Sequence, residues 1–155
     1  MSDPIYISEY DSLIREVLAS GGEFRLYPRG TSMLPLLRQG IDSVGLRNLD
    51  RAPQKFDILF YQRSDGSYVL HRVKEVTSDG GLILWGDNQY RLEYGITTDQ
   101  IIGYAARIYR GEREINLQSF IYRSYLRLWQ MQFLRRVCLP VIYRLRSLKA
   151  RFKKG

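Results

Sequence analysis

Residues 57–88 read DILFYQRSDGSYVLHRVKEVTSDGGLILWGDN, and this stretch decides the fold. It contains three runs rich in apolar, β-branched and aromatic residues, separated by two short segments that each include Asp-Gly. Runs of this composition favour strands, and Asp-Gly between two such runs favours the tight turn of a β-hairpin. The stretch therefore predicts three consecutive antiparallel strands joined by two hairpin turns.

Shorter stretches on both sides of this segment predict further strands. Phe24 and Leu26 alternate with polar neighbours in EFRLYPR, and the stretches DSVGLR and IIGYAARIYR also have strand-like composition. The stretch GEREIN is typical of a turn that leads into one more short strand. Together these stretches predict a mainly β domain over residues 23–117.

Helical patterns are predicted at the two ends of the chain. In residues 1–22, apolar residues recur at helical spacing and Gly21-Gly22 provides a stop, so we expect a short helix packed on the β domain. In residues 118–155, apolar residues step by three and four, which predicts a C-terminal tail of basic amphipathic helices. Pro140 is expected to kink this tail or to split it in two.

Charge is distributed unevenly along the 155 residues, whose net charge is +8. Residues 115–155 contain ten Lys or Arg and no Asp or Glu, whereas the first 114 residues contain 14 basic and 16 acidic residues. The single cysteine, Cys138, excludes an internal disulfide and fits a reducing compartment. The first residues do not match a signal peptide, and the longest uncharged run has eight residues, whereas about 20 are needed to span a bilayer. We therefore expect a cytoplasmic protein without a membrane-spanning segment.

The basic tail has three interpretations. In the first, its apolar stripe packs on the β domain and its basic face is solvated. In the second, it is a peripheral membrane helix on an anionic surface, with Trp129 among the lipids and Arg135, Arg136, Arg144 and Arg146 at the head groups. The third is nucleic-acid binding, against which the absence of a recognisable reading motif argues.

The segment GTSMLPLLRQG, residues 30–40, holds the first candidate for chemistry. Ser32 follows Gly30, and glycine lets the backbone approach a bound chain closely. If a helix begins near Ser32, its N–H groups and positive dipole end would suit an oxyanion. The same residues also fit a purely structural role in which Ser32 caps the turn or helix.

His71 and two acidic residues are the other candidates. Strand alternation places His71, the only histidine, on one face with Val69 and Val73, so it points inward if that face is the core. A lone inward histidine is more often a core residue than a base, but a nucleophilic serine needs a base nearby. Asp87 begins the loop after LILW, where its carboxylate can orient His71 or bond to the local backbone, and Glu93 lies in the same loop.

The order of these motifs resembles that of a known family. Gly-x-Ser-Met-x-Pro, Asp-Ile-x-x-Tyr, His-Arg-Val and Gly-Asp-Asn follow one another over residues 30–88. The ordered set is similar to that of the type I signal peptidases and of the related peptidase domain of LexA-type repressors. It is most similar to the ER-type branch of the signal peptidases, in which a histidine takes the place of the base lysine. The similarity covers residues 24–110, roughly.

This resemblance implies a fold and an activity. The implied fold is the signal peptidase/LexA-like β-rich peptidase domain, here with a short N-terminal helix and a helical tail. The implied activity is that of a serine endopeptidase, a hydrolase without a cofactor or metal that cleaves an extended leader or signal-type peptide. The resemblance implies Ser32 as the nucleophile and His71 as the general base. It also implies that Gly30, Thr31 and Met33 bind the oxyanion or the substrate.

The chain departs from the family pattern at several positions. The orienting acid of the ER-type branch lies a few residues after Gly-Asp-Asn, where this chain has Glu93, so the third member stays open between Asp87 and Glu93. Phe56 stands where the family has glycine before Asp57, and Gly30 stands where many signal peptidases have a serine. The alternative function is an inactive peptidase-like binding module that the basic tail tethers to a membrane or a partner.

Overall fold

The computed structural model describes residues 7–129, 131, 136–138, 140–141 and 144. The chain divides into two units, Met1–Ile115 and Asn116–Gly155. In the first unit, a short 3-10 helix (Ile7–Tyr10) leads into helix α1 (Asp11–Ala19), and a second 3-10 turn (Thr98–Gln100) precedes β7. The strands are β1 (Phe24–Leu26), β2 (Asp42–Arg47), β3 (Ile58–Gln62), β4 (Tyr68–Val76), β5 (Leu82–Trp85), β6 (Glu93–Ile96), β7 (Ile101–Arg110) and β8 (Arg113–Glu114).

The predicted mainly β class is confirmed, because the strands of the described residues form one antiparallel sheet of eight. The strand order is β1-β2-β7-β3-β4-β5-β6, and β8 pairs with β7. The three strands predicted from residues 57–88 are β3, β4 and β5, paired in sequence order. Gly66 and Gly80 have φ of +84° and +83° in the two connecting turns, a conformation that glycine adopts at no steric cost.

Helix α1 buries one side against the sheet. Its apolar residues Ile14 and Leu18 are buried. A Cβ atom added at Gly103 in β7 would lie 2.8 Å from Leu18 Cδ1 and 2.7 Å from the carbonyl oxygen of Arg47. Glycine at position 103 therefore lets the helix and strand β2 approach β7 closely.

The core is built around strands β3, β4 and β5. The side chain of His71 lies in the buried part of β4 and is 4% exposed. Leu70 and Arg72, which alternation places on the opposite face, are buried as well, so β4 is covered on both faces. One cluster of buried apolar residues on this sheet consists of Leu59, Tyr61, Val73, Leu82, Leu84 and Ile96.

The segment around Ser32 is a set of turns and not a helix. The Leu34 N–H donates to the carbonyl oxygen of Thr31 at 3.2 Å, and the Leu37 N–H donates to that of Met33 at 2.9 Å. The Leu34–Pro35 peptide bond is cis. A helix dipole at Ser32, considered from the sequence, is therefore not a feature of this site.

Phe56 has a φ of 80° and is the only non-glycine residue with positive φ in the described part of the chain. The left-handed region is sterically costly for a bulky side chain and free for glycine. The turn before β3 therefore has a backbone conformation that glycine would adopt without steric cost and that Phe56 adopts here.

The second unit begins with helix α2 (Phe120–Trp129), and residues 136–138, 140–141 and 144 are also helical. Pro140 is itself in helical conformation. The remaining residues of the predicted apolar stripe lie outside the described part of the chain. None of the described helices has the length and hydropathy needed to cross a membrane.

Candidate active site

The loop that follows β5 holds the Ser32 segment in place. A Cβ atom at Gly86 would lie 2.7 Å from the carbonyl oxygen of Ser32 and 3.0 Å from its Cβ, so only glycine permits this approach. The Asn88 N–H donates to the Ser32 carbonyl oxygen at 2.7 Å. The Asn88 side-chain amide donates to the Thr31 carbonyl oxygen at 3.0 Å. The backbone on both sides of the Ser32 nitrogen is thereby fixed to this loop.

A buried ion pair ties the same loop to strand β4. Arg72 donates through Nε and Nη2 to the two carboxylate oxygens of Asp87, each at 2.8 Å. Its Nη1 donates to the carbonyl oxygen of Phe56 at 3.0 Å. Asp87 is fully buried and Arg72 is only 2% exposed. The pair therefore fixes the loop that contacts Ser32 to the strand that carries His71.

The structure distinguishes the two carboxylates considered as partners of His71. Both oxygens of Asp87 accept hydrogen bonds from Arg72, whereas Glu93 Oε2 lies 3.3 Å from His71 Nδ1. Asp87 thus forms a buried ion pair with Arg72, and its role as the orienting acid stays a prediction beside that of Glu93. Glu93, the alternative, is the carboxylate whose contact with the imidazole the structure shows.

Glu93 is held by two further side chains. Arg63 donates to it through both Nε and Nη2, at 2.5 Å and 2.7 Å, which is the bidentate geometry of a guanidinium on a carboxylate. Tyr61 Oη donates to Glu93 Oε2 at 2.8 Å and lies 3.2 Å from His71 Nδ1. The carboxylate thus has a fixed orientation toward His71.

The hydrogen bonds around Glu93 indicate the tautomer of His71. Tyr61 has one phenolic proton, and its short hydrogen bond to Glu93 uses it. His71 Nδ1 then faces two oxygen atoms, on Tyr61 and Glu93, both of which can accept a proton from it. We therefore assign the ring proton to Nδ1, which leaves the lone pair on Nε2 as a general base requires.

Burial and charge favour neutral His71 beside ionised Glu93. Burial lowers the pKa of His71, the Glu93 charge opposes this effect, and the Arg63 charge reinforces it. Burial by itself raises the pKa of Glu93, but hydrogen bonds from Arg63 and Tyr61 outweigh it and hold that pKa below its ordinary value. The 3.3 Å between His71 Nδ1 and Glu93 Oε2 is a distance typical of an ion pair. The lowered pKa of His71 nevertheless indicates a neutral imidazole near pH 7.

Ser32 and His71 line the same cavity, whose volume is about 220 Å³. Gly30 lines it as well, with a φ of +85° and its N–H bonded to Gln39 Oε1 at 2.9 Å. Met33 is buried and contributes to the wall. The cavity is thus bordered by residues 28–37, by the first half of β4, and by Arg63 and Gln89. Thr31 was also predicted for this site. Its backbone carbonyl oxygen accepts a hydrogen bond from the side-chain amide of Asn88.

A second cavity of about 780 Å³ adjoins the first and shares Arg63 and Gln89 with it. Residues 90–94, which lead into and begin β6, line it, and both Tyr90 and Tyr94 are exposed. His71 lines the first cavity and Glu93 lines the second.

For three residues that matter here the sequence predicted no role: Tyr61 and Arg72, which stand only as members of the motifs Asp-Ile-x-x-Tyr and His-Arg-Val, and Arg63. Tyr61 and Arg63 are two positions apart at the end of β3, and this spacing places alternate residues of a strand on one face. That periodicity was the available signal for their shared contact with Glu93. For Arg72, the available signal was a charged residue inside an otherwise strand-like apolar run.

The residues predicted to contact a membrane lie in the second unit. Arg136 and Arg144 are exposed, and the Trp129 ring stacks on Tyr125 with centroids 5.5 Å apart. Arg135 and Arg146 lie outside the described residues. Among the residues that are described, no group of His, Cys, Asp and Glu has the arrangement of a metal site.

Comparisons with protein-family models, with curated proteins and with solved structures gave no significant match to this chain.

We predict that Arg72→Met destabilises the protein by about 3–5 kcal/mol, because Asp87 is left buried without its cation. Urea unfolding followed by circular dichroism measures this loss. The double variant Arg72→Met/Asp87→Leu should recover much of the stability, since it removes both charges. Arg15→Met is the control, because the exposed pair of Arg15 with Asp11 is worth less than about 1 kcal/mol. A loss no larger than that of the control would contradict the proposed role.

We also predict that Arg63→Gln raises the pKa of His71. The variant removes a positive charge that disfavours protonation of the imidazole, and it leaves the Glu93 charge less compensated. Because His71 is the only histidine, its ring protons give an unambiguous NMR titration. Arg91→Gln, which removes a positive charge from the segment between β5 and β6, is the matched control and should change the pKa of His71 less. An unchanged or lowered pKa in Arg63→Gln would count against the cluster as described.

Proposed function

We propose that the protein is a serine endopeptidase of the signal peptidase/LexA-like type, with Ser32 as nucleophile and His71 as general base. The observation that carries the proposal is that Ser32 and His71 line one cavity while Glu93 contacts the Nδ1 side of His71. The ordered motifs of residues 30–88 support it independently. A serine with a nearby base, itself oriented by a third group, is the arrangement that activates a hydroxyl nucleophile.

In the proposed reaction, His71 Nε2 accepts the proton of Ser32 Oγ as that oxygen attacks the carbonyl carbon of the substrate. The tetrahedral oxyanion then collapses, His71 donates its proton to the leaving amine, and an ester on Ser32 remains. A water molecule activated by His71 hydrolyses this ester and regenerates the hydroxyl. Backbone N–H groups near Ser32 are assigned to the oxyanion, because Gly30 offers no hydroxyl.

Glu93 supports the imidazolium that forms during each proton transfer. Its charge lies on the Nδ1 side of the ring, where it stabilises the protonated state without taking the proton. Arg63 and Tyr61 hold the carboxylate in that position through three hydrogen bonds. The charge of Arg63 also limits the rise in basicity that Glu93 would cause, so the base remains unprotonated at neutral pH.

The proposed substrate is a peptide in extended conformation, such as a leader or signal-type segment. The cavity is bordered by the Pro28–Gly30 segment and by residues 68–71 of β4, so an extended chain can lie between two stretches of backbone. Recognition of this kind uses main-chain hydrogen bonds for affinity and small pockets for alternate side chains. The cavity beside Tyr90 and Tyr94 would accommodate residues further from the scissile bond.

We predict that Ser32→Ala and His71→Ala each lower kcat/KM by several orders of magnitude, and that the double variant loses little more, because the two residues act as a unit. Substrates are found by comparing protein N-termini in cells that carry wild-type or Ser32→Ala protein, and the corresponding peptides are then used for kinetics. Ser78→Ala, in a turn away from the cavity, is the matched control. Retained cleavage in both single variants excludes the mechanism. Peptide binding without cleavage by wild type would instead favour the inactive binding module.

The pH dependence provides a separate expectation. The general base must be neutral, and burial lowers the pKa of His71 below its ordinary value of about 6.5. Activity should therefore be full above pH 6.5 and fall on the acid side of it, as the imidazole becomes protonated. A profile of kcat/KM against pH tests this. If the activity instead rises with pH only well above pH 7, a lysine would be the base. The Nζ of Lys74, however, lies over the Trp85 ring, 5.5 Å from its centroid.

A further inference from the structure

The second unit exposes large apolar side chains. Phe120 and Ile121, at the start of α2, are 85% and 81% exposed. Single exposed apolar residues are common on soluble proteins, whereas two adjacent, almost fully exposed large ones at the start of a helix are typical of an interaction surface. The other large apolar residues exposed in this unit are Leu128, Met131, Val137 and Val141.

The charged residues of the same unit are all basic. Residues 116–155 contain ten Lys or Arg and no Asp or Glu. The basic residues that the structure describes in this unit are all exposed: Arg123, Arg127, Arg136 and Arg144. On α2, Arg123 and Arg127 lie in the sequence between the exposed apolar residues Ile121 and Leu128. A partner of this surface therefore has to offer negative charge and an apolar environment together.

The arrangement of α2 fits a flat amphipathic boundary. Ile121 and Leu128 are seven positions apart and share one face of the helix. Tyr122, Tyr125 and Trp129 form a second row with ring centroids 6.2 Å and 5.5 Å apart, in which Tyr122 is buried and Tyr125 and Trp129 are partly exposed. Tyrosine and tryptophan combine an apolar ring with a polar atom, which suits them to the boundary between lipid tails and water.

We propose that the second unit, residues 116–155, docks on the surface of an anionic lipid bilayer. The apolar side chains of α2 enter the boundary between head groups and acyl chains, and the arginines contact the negatively charged head groups. A nucleic-acid duplex would match the charge but would leave Phe120 and Ile121 in water. The inference does not depend on peptidase chemistry, because none of these residues belongs to the Ser32–His71 cavity.

The test is sedimentation of the full-length protein with vesicles. Vesicles of phosphatidylcholine alone and vesicles that also contain phosphatidylglycerol are compared at low and high salt. Binding is expected with phosphatidylglycerol only, and salt should weaken it, since counter-ions screen the attraction. Each arginine near an anionic surface contributes about fivefold to the partition coefficient.

Two double variants separate the apolar and the basic contributions. Phe120→Ser/Ile121→Ser and Arg123→Gln/Arg127→Gln should each lower the partition coefficient, the second by up to about 25-fold. The matched control is Tyr94→Ser/Arg91→Gln, which removes an exposed aromatic and a basic residue from the first unit and should change binding little. The His71 NMR signal, which should not change in the tail variants, reports that the first unit remains folded.

A second readout does not require substitutions. Vesicles with brominated acyl chains quench only tryptophans that reach the lipid, and Trp85 is buried in the sheet, so quenching reports Trp129. Quenching in phosphatidylglycerol vesicles is the expected result. The proposal is overturned if vesicles do not bind, or if binding is equal on phosphatidylcholine alone. It is also overturned if duplex DNA binds more tightly and Phe120→Ser/Ile121→Ser leaves that binding unchanged.

Discussion

The buried ion pair between Arg72 and Asp87 is the constraint on which the candidate site depends. Arg72 follows His71 directly in β4, and Asp87 directly precedes Asn88, which donates to the Ser32 carbonyl oxygen. A buried ion pair loses the hydration of both charges and is weak evidence for stability. Its bidentate geometry does define relative position, so the pair keeps the serine segment at a fixed distance from the strand of the histidine.

Around His71, burial and charge act in opposite directions, and their balance defines the chemistry available. Glu93 supplies the negative charge that stabilises an imidazolium, while Arg63 and burial disfavour it. The outcome is a neutral imidazole next to an ionised carboxylate, with the proton held on Nδ1. A residue so placed can accept a proton transiently and release it again, whereas a fully solvated histidine–glutamate pair would lack this control.

The sequence predicted the strands better than the contacts of the site. The Asp-Gly turns and apolar runs of residues 57–88 are local signals, and the hairpins follow from them. The helix considered at Ser32 did not form, since the Ser32 carbonyl oxygen accepts from Asn88 and not from a residue four positions on. Strand β6 was missed because its residues are partly exposed and lack clear alternation. The choice between Asp87 and Glu93 stayed open because the sequence pattern placed both in one loop, whereas Glu93 is the first residue of β6.

The sequence by itself determined the β class, the two central hairpins and the concentration of basic charge after residue 115. These features depend on residues close together in the chain, so composition and periodicity suffice. Only the tertiary structure decided which carboxylate contacts which basic side chain. Arg72 and Asp87 are 15 positions apart, His71 and Glu93 are 22 apart, and Arg63 and Glu93 are 30 apart. Such pairs are set by strand register and by the path of the loop, which no local pattern encodes.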